Sequence, residues 1–153
     1  REVALGTGAV RRGDRPLALD DRLEPRCGLL QFYPGMDPGL VDAFAGYAGL
    51  VVAAPGLGHV STPCIERLGA LVADGTTVVM TSQCLHGRVC DRVYDTGRDL
   101  LACGVLEGAT MLPEVALVKL MCVLGRTRDP DEVARLMQAD LAGEVLGRTP
   151  HEL

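Results

Sequence analysis

Three short apolar runs, separated by turns that contain glycine and proline, form a regular pattern from residue 27 onward. They cover residues 27–33, 49–54 and 76–82 and are apolar or β-branched almost throughout. Runs of this length bounded by turn residues are typical of buried strands. A strand that is apolar on both faces must be covered on both sides, so the pattern predicts a parallel sheet between helices.

Segments with helix start and stop signals alternate with these strands. Asp37-Pro38 and Asp129-Pro130 each pair an N-cap residue with a proline suited to the first helical turn. Gly104 and Gly125 follow apolar segments, as helix-ending glycines do. The predicted helices cover residues 39–46, 63–74, 96–104, 113–125 and 130–140. The fold class predicted is α/β, a small doubly wound (Rossmann/flavodoxin-like) three-layer domain with a parallel sheet.

Composition limits the classes of function open to this chain. Its 153 residues are 48% hydrophobic and 23% charged, which is typical of one ordinary globular domain. The apolar runs are too short to predict a membrane span. A formal net charge of −5 with no basic, aromatic stripe predicts that this domain does not bind nucleic acid directly.

Six cysteines raise the hypotheses of a disulfide scaffold, a metal site and a thiol nucleophile. Most lie in or beside apolar runs, which favours reduced, buried thiols in a cytoplasmic protein. Cys84, His86 and Cys90 are ligand types, but they lack the paired spacing of a zinc site, so no metal is predicted. A nucleophile turn at Cys84 would need a small residue two positions later, where His86 stands.

Loops that follow parallel strands meet at one edge of the sheet, where ligands of such folds bind. The loops concerned cover residues 34–37, 55–61 and 83–94. Gly56-x-Gly58 follows a strand, as in dinucleotide-binding turns, but Ser61 replaces the third glycine, and the alternative is a tight turn. The sequence predicts that His59 and the loop 83–94 lie together at this edge.

Three side chains outside that edge have simpler expected roles. Lys119, the sole lysine, lies within an apolar helix and is predicted to extend along the helix face toward solvent, with an ion pair at an interface as the alternative. Thr96 and Arg98, near the start of a helix, are expected to act as a cap and a solvated charge.

The order of motifs resembles the second domain of the asparaginase-like amidohydrolases over about residues 27–146. The motifs are YPGMDPGLVDAF, GLGHV, VVMTSQCLHGRV, VYDTGRDLLACGVLEG, MLPEVALVKLMCVLG and VARLMQADLAGEV. Within this family they are most similar to the D subunits of archaeal glutamyl-tRNA(Gln) amidotransferases. The alternatives are the cytoplasmic type I L-asparaginases and a non-catalytic dimerisation or docking module.

The resemblance implies a division of the chain. Residues 1–26 would be a linker or arm from an N-terminal amidase domain, residues 27–146 the asparaginase-like domain, and residues 147–153 a tail. The family's threonine nucleophile and its partners lie in the preceding domain, so no catalytic residue is expected in this chain. Thr7, in LGTGAV, is followed by Arg11-Arg12 instead of the expected helix and is not taken as the nucleophile.

The resemblance also implies partners and site residues. The family's second domain forms a homodimer and closes the neighbouring subunit's active site, so a substrate-facing or interface role is expected for Gly56, Gly58, His59, Gln83, Arg88 and Tyr94. His59 stands where some relatives have asparagine, and Ala54-Pro55 replaces a common Gly-Thr pair. A tRNA-binding partner subunit would use ATP and Mg²⁺, and no cofactor is expected on this domain.

Overall fold

Four parallel strands form a single sheet in the computed structural model, which describes Gly13, Pro16 and residues 18–90 and 95–146. The strands are β1 (Cys27–Gln31), β2 (Gly49–Ala54), β3 (Thr77–Ser82) and β4 (Leu106–Glu107). Their spatial order, β1-β2-β3-β4, follows the chain. Gln31 pairs with Ala53, and Ala53 with Thr81, so the first three strands end almost level with each other.

Helices cover both faces of this sheet. A 3₁₀ helix (Pro38–Phe44), α1 (Thr62–Ala73) and α2 (Asp95–Ala102) connect successive strands on one face. On the other face, α3 (Pro113–Leu124) packs on β1, β2 and β3, and α4 (Pro130–Gln138) packs on α3. The predicted α/β class, parallel sheet and three layers are confirmed.

The second strand is completely buried because both faces of the sheet are covered. All six residues of β2 are buried, with Leu50 and Val52 facing α1 and Val51 facing α3. Gly49 lets α3 approach closely, since a Cβ there would lie 2.7 Å from Leu120 Cδ2. This contact places the third layer directly on the centre of the sheet.

Several elements differ from the sequence expectation. β1 ends at Gln31 instead of residue 33, and the first helix is 3₁₀ over its whole length. Asp37 nevertheless caps it as predicted, by accepting a hydrogen bond from Gly39 N at 2.8 Å. β4 was not predicted, because two residues carry no recognisable periodicity.

Lys119 does not reach solvent, so its predicted extension along the helix face is wrong. Its ammonium group lies 2.6 Å from Glu144 Oε1, and their side chains are only 5% and 12% exposed. Lys119 Nζ also donates to Ala139 O. The Glu144 carboxylate accepts from Leu141 N and Ala142 N, so it is satisfied on both sides. This pair, formed by a buried lysine and a partly buried glutamate, fastens residues 139–144 to α3.

The residues just before β1 are also tied to α3. Glu24 is buried, its backbone N donates to Met121 O at 3.0 Å, and its carboxylate pairs with Arg26 and Arg128. A hydrogen bond from the backbone N of Arg26, together with both guanidinium groups, lowers the Glu24 pKa to about 2. This part of the predicted arm is therefore anchored to the domain.

No helix among residues 18–90 and 95–146 is both long and apolar enough to cross a membrane.

Replacing Lys119 with methionine leaves the Glu144 carboxylate, whose side chain is only 12% exposed, without its cation. We expect the free energy of unfolding at pH 7 to fall by about 3 kcal/mol, measured by urea denaturation. The double variant K119M/E144L should recover at least half of this loss, because both charges are removed. The control R135M breaks an exposed pair with Glu132 and should leave the unfolding free energy almost unchanged. Equal losses in K119M and R135M would contradict a buried, paired lysine.

Acid should weaken the same pair. Burial raises the Glu144 pKa, but the hydrogen bonds from Lys119 and from the backbone outweigh this and lower it from 4.5 to about 2. A carboxyl with a lowered pKa stabilises the fold above its unfolded pKa, and that stabilisation is lost as the pH falls toward 2. E144Q should therefore flatten the dependence of unfolding free energy on pH between about 5 and 2.

Candidate functional site

The loops after β2 and β3 are joined by hydrogen bonds at the carboxyl edge of the sheet. Ser82 Oγ donates to Gly56 O at 2.7 Å, and Gln83 N donates to Ala54 O at 2.8 Å. Further along, Cys90 N donates to Leu57 O at 3.1 Å. The two loops thus lie side by side, as the neighbouring parallel strands predicted. Their role toward a substrate stays a prediction.

His59 is half-buried within this edge and contacts the start of α2. Its Nδ1 lies 3.3 Å from Thr96 Oγ1, across 37 residues of sequence. Because a hydroxyl can donate to a neutral imidazole nitrogen, Thr96 can select the His59 tautomer that carries its hydrogen on Nε2. Because α2 begins at Asp95, Thr96 lies within the first turn and is not the cap that its position led us to expect; its hydroxyl instead has a partner in the loop after β2.

The two glycines beside His59 give the turn its shape. Gly56 and Gly58 have φ angles of +59° and +103°, in the left-handed region that strains other residues. Gly58 N donates to Pro55 O at 3.2 Å, which closes the turn. The pattern Gly56-x-Gly58 therefore has a conformational cause, in agreement with the tight-turn alternative.

Gln83 is held by its side chain as well as by its backbone. Its Nε2 donates to Phe32 O at 2.5 Å and to Ala53 O at 2.8 Å. The amide group therefore spans the ends of β1 and β2. Both Nε2 hydrogens are used in this way.

The far side of the loop after β3 is fixed by the residues that follow β4. Arg88 is exposed, whereas Val89 is buried and donates its N–H to Ala109 O at 2.9 Å. Ala109 has a φ of +53°, an uncommon conformation for a residue with a side chain. Tyr94, the sixth predicted site residue, lies outside the described residues.

The cysteines are not uniformly buried. Cys64 is buried, but Cys84 is exposed beside Gln83, which corrects the expectation of buried thiols at that position. Burial raises the pKa of the Cys27 thiol to about 11. Among residues 18–90 and 95–146 no group of three His, Cys, Asp or Glu side chains could hold a metal ion. The absence of a bound metal stays a prediction.

Sequence reasoning missed the parts of the site that depend on contacts distant in sequence. Thr96 had no signal beyond its place near a helix start. Thr110 Oγ1 accepts a hydrogen bond from Leu146 N at 2.8 Å, across 36 residues of sequence. The unusual φ of Ala109 could not have been foreseen, because alanine carries no preference for that region.

Cys84 should be the first thiol to react with an aromatic disulfide reagent under native conditions. Its exposure allows attack without unfolding, whereas Cys64 must wait for local opening. The release of chromophore should show a fast phase of about one thiol, and C84S should remove that phase. A C64S variant serves as the matched control and should keep it. A fast phase that survives C84S would place the reactive thiol elsewhere.

Comparison with known proteins identifies the family to which this chain is similar. Residues 26–137 match the model of the glutaminase/asparaginase C-terminal domain. The D subunit of glutamyl-tRNA(Gln) amidotransferase from Methanosarcina barkeri is 48% identical over 147 residues, covering 95% of this chain and 35% of the relative. The D subunit from Halobacterium salinarum is 51% identical over 145 residues, covering 95% and 33%.

A solved structure is similar over nearly the whole chain. The thermostable L-asparaginase from Thermococcus kodakarensis superposes with a TM-score of 0.81 at 33% identity, covering 92% of this chain and 44% of that one. The chain spans about a third of the length of the two amidotransferase relatives. On the family match and on these identities, the chain belongs to the glutaminase/asparaginase C-terminal domain family.

Proposed function

We propose that this chain is the C-terminal domain of an archaeal-type D subunit of glutamyl-tRNA(Gln) amidotransferase. The observation that carries the proposal is 48–51% identity to such proteins over 95% of the chain. The order of six motifs along residues 27–146 supports the same branch of the family.

In the proposed enzyme, a threonine of the neighbouring amidase domain attacks the side-chain amide of glutamine or asparagine. The amide nitrogen leaves as ammonia once it has gained a proton, and water then hydrolyses the acyl-threonine ester. Backbone and side-chain donors stabilise the oxyanion formed in each step. The ammonia is used by the partner subunit to convert Glu-tRNA(Gln), activated with ATP and Mg²⁺, to the amide.

The C-terminal domain contributes the frame of the site in this proposal. His59 and the loop that contains Gln83 and Arg88 face the substrate region of a neighbouring subunit. The hydrogen bond between His59 and Thr96 supports this role, because it fixes the imidazole within a turn that already has two left-handed glycines.

Dimerisation and docking are part of the same proposal. Val115, Val118 and Leu141 remain 39%, 58% and 49% exposed along a groove beside α3, with a volume of about 670 Å³. Exposed apolar side chains gathered in this way are typical of protein interfaces. The complex would act in the cytoplasm, and the tRNA would be held by the partner subunit.

A cytoplasmic type I L-asparaginase is the second candidate. The TM-score of 0.81 to the Thermococcus kodakarensis L-asparaginase favours it. In that case the same edge would frame a free-standing asparagine-hydrolysing site. The two candidates differ in whether a tRNA-binding subunit is needed to use the ammonia.

The decisive experiment compares the complete protein, with its amidase domain, with the 153-residue chain. We expect the chain alone to release no ammonia from glutamine or asparagine, because the nucleophile lies elsewhere. The complete protein with its partner should amidate Glu-tRNA(Gln) when ATP, Mg²⁺ and glutamine are supplied. Asparagine hydrolysis without any transamidation would instead favour the asparaginase. Turnover by the chain alone that is lost in T7A or C84A would contradict the two-domain proposal.

In the complete enzyme, H59A should weaken the amidase by about one hydrogen bond, or 1–2 kcal/mol in kcat/KM. The melting temperature should change little, because a half-buried turn residue contributes limited packing. H59N, which retains a side-chain donor, should keep most of the activity, and R135M serves as the control since Arg135 is exposed on α4, outside this edge. Unchanged kinetics in H59A would show that His59 only spaces the turn.

A further inference from the structure

The hydrogen-bond ladder between β1 and β2 lacks one backbone donor, the one that would reach the Phe32 carbonyl. Phe32 N donates to Ala53 O at 2.9 Å and extends the register in which Gln31 pairs with Ala53. In a parallel ladder, the carbonyl of the same residue accepts from the residue two positions beyond Ala53. That residue is Pro55, which has no N–H. The Phe32 carbonyl therefore lacks its ladder donor, and β1 ends at Gln31, short of the predicted residue 33.

Gln83, the first residue after β3, supplies the missing donor with its side chain. Its Nε2 lies 2.5 Å from Phe32 O and 2.8 Å from Ala53 O. The orientation of the amide follows from these contacts, because two carbonyl oxygens repel an amide oxygen and accept from an NH₂ group. One side chain thus donates to Phe32 O, which has no donor because residue 55 is proline, and also to the neighbouring Ala53 O.

We propose that Gln83 is a positioning residue, whose side-chain amide replaces the backbone donor absent at Pro55 and fixes the carboxyl ends of β1 and β2. The backbone of Gln83 adds a third tie, from its N–H to Ala54 O at 2.8 Å. Pro55 begins the turn that carries His59, so the same amide sets the position of that turn. This functional consequence rests on the proposed amidase.

The proposal predicts that Pro55 and Gln83 are energetically coupled. Removing the Gln83 amide should destabilise the ends of β1 and β2 strongly while residue 55 is proline. The effect should be smaller once residue 55 has an N–H of its own. The Pro55→Ala change provides that N–H and keeps the carbonyl that accepts from Gly58 N. A double-mutant cycle on the two positions therefore isolates the replacement of one donor by the other.

Hydrogen–deuterium exchange of the complete protein tests this without any need for activity. In Q83M, amides in peptides that cover residues 27–36 and 50–60 should exchange about fivefold faster, as expected when the Phe32 carbonyl loses its donor while Ala53 O keeps the bond from Phe32 N. P55A/Q83M should return to within about twofold of P55A alone. Q83N, whose amide is too short to reach both carbonyls, should behave like Q83M. Q138M, which alters an exposed glutamine at the end of α4, is the matched control and should match the unmodified protein.

Amide hydrolysis gives the second measurement. Q83M should raise KM for glutamine about fivefold while kcat stays within about twofold. The reason is that the turn carrying His59 is displaced, whereas the nucleophile in the amidase domain is not. P55A/Q83M should regain most of the loss relative to P55A. The proposal would be overturned if Q83M exchanged at the same rate as the unmodified protein. It would also be overturned if Q83M raised the exchange rate equally with proline and with alanine at position 55. If the unmodified protein does not hydrolyse glutamine, the proposed function is contradicted, but the exchange test of Gln83 remains valid.

Discussion

Complete burial of β2 is the constraint on which the rest of the structure depends. A strand with six buried residues must have a paired neighbour on each side and a layer on each face. Parallel pairing with β1 and β3 satisfies its backbone, and α1 and α3 cover its side chains. Parallel pairing also brings the carboxyl ends of the strands to one edge, so the position of the candidate site follows from how the core is buried.

At that edge, side chains complete a hydrogen-bond network that the backbone leaves unfinished. Thr81 Oγ1 donates to Val52 O at 3.0 Å, and Ser82 Oγ donates to Gly56 O at 2.7 Å. Gln83 continues the series one residue later toward Ala53 and Phe32. Three consecutive residues of β3 and its loop therefore bond carbonyls of β1, β2 and the turn that follows β2. These side-chain bonds add to the backbone bonds between the loops and to the core packing of Phe32, Val60 and Val89 at the same edge.

The parts of this fold that could be predicted from sequence are those with a local cause. The strands around Val51 and Val79 and the helices opened by Asp37 and Asp129 follow from apolar runs and capping residues only a few positions apart. The bond from Gln83 to Phe32 spans 51 residues, and that from His59 to Thr96 spans 37. No periodicity in one sequence reports such pairs, so sequence could bring the two loops to one edge of the sheet without giving the geometry between them.

The burial of Lys119 has a consequence for the chemical reactivity of the chain. It is the sole lysine in 153 residues, and its side chain is 5% exposed in an ion pair with Glu144. An ammonium held in this way must leave its partner and lose a proton before it can attack an activated ester. Acylation of the one side-chain amine therefore requires residues 139–144 to move away from α3. The chain thus carries a native reporter, in which the rate of modification of Lys119 itself measures how often that segment opens.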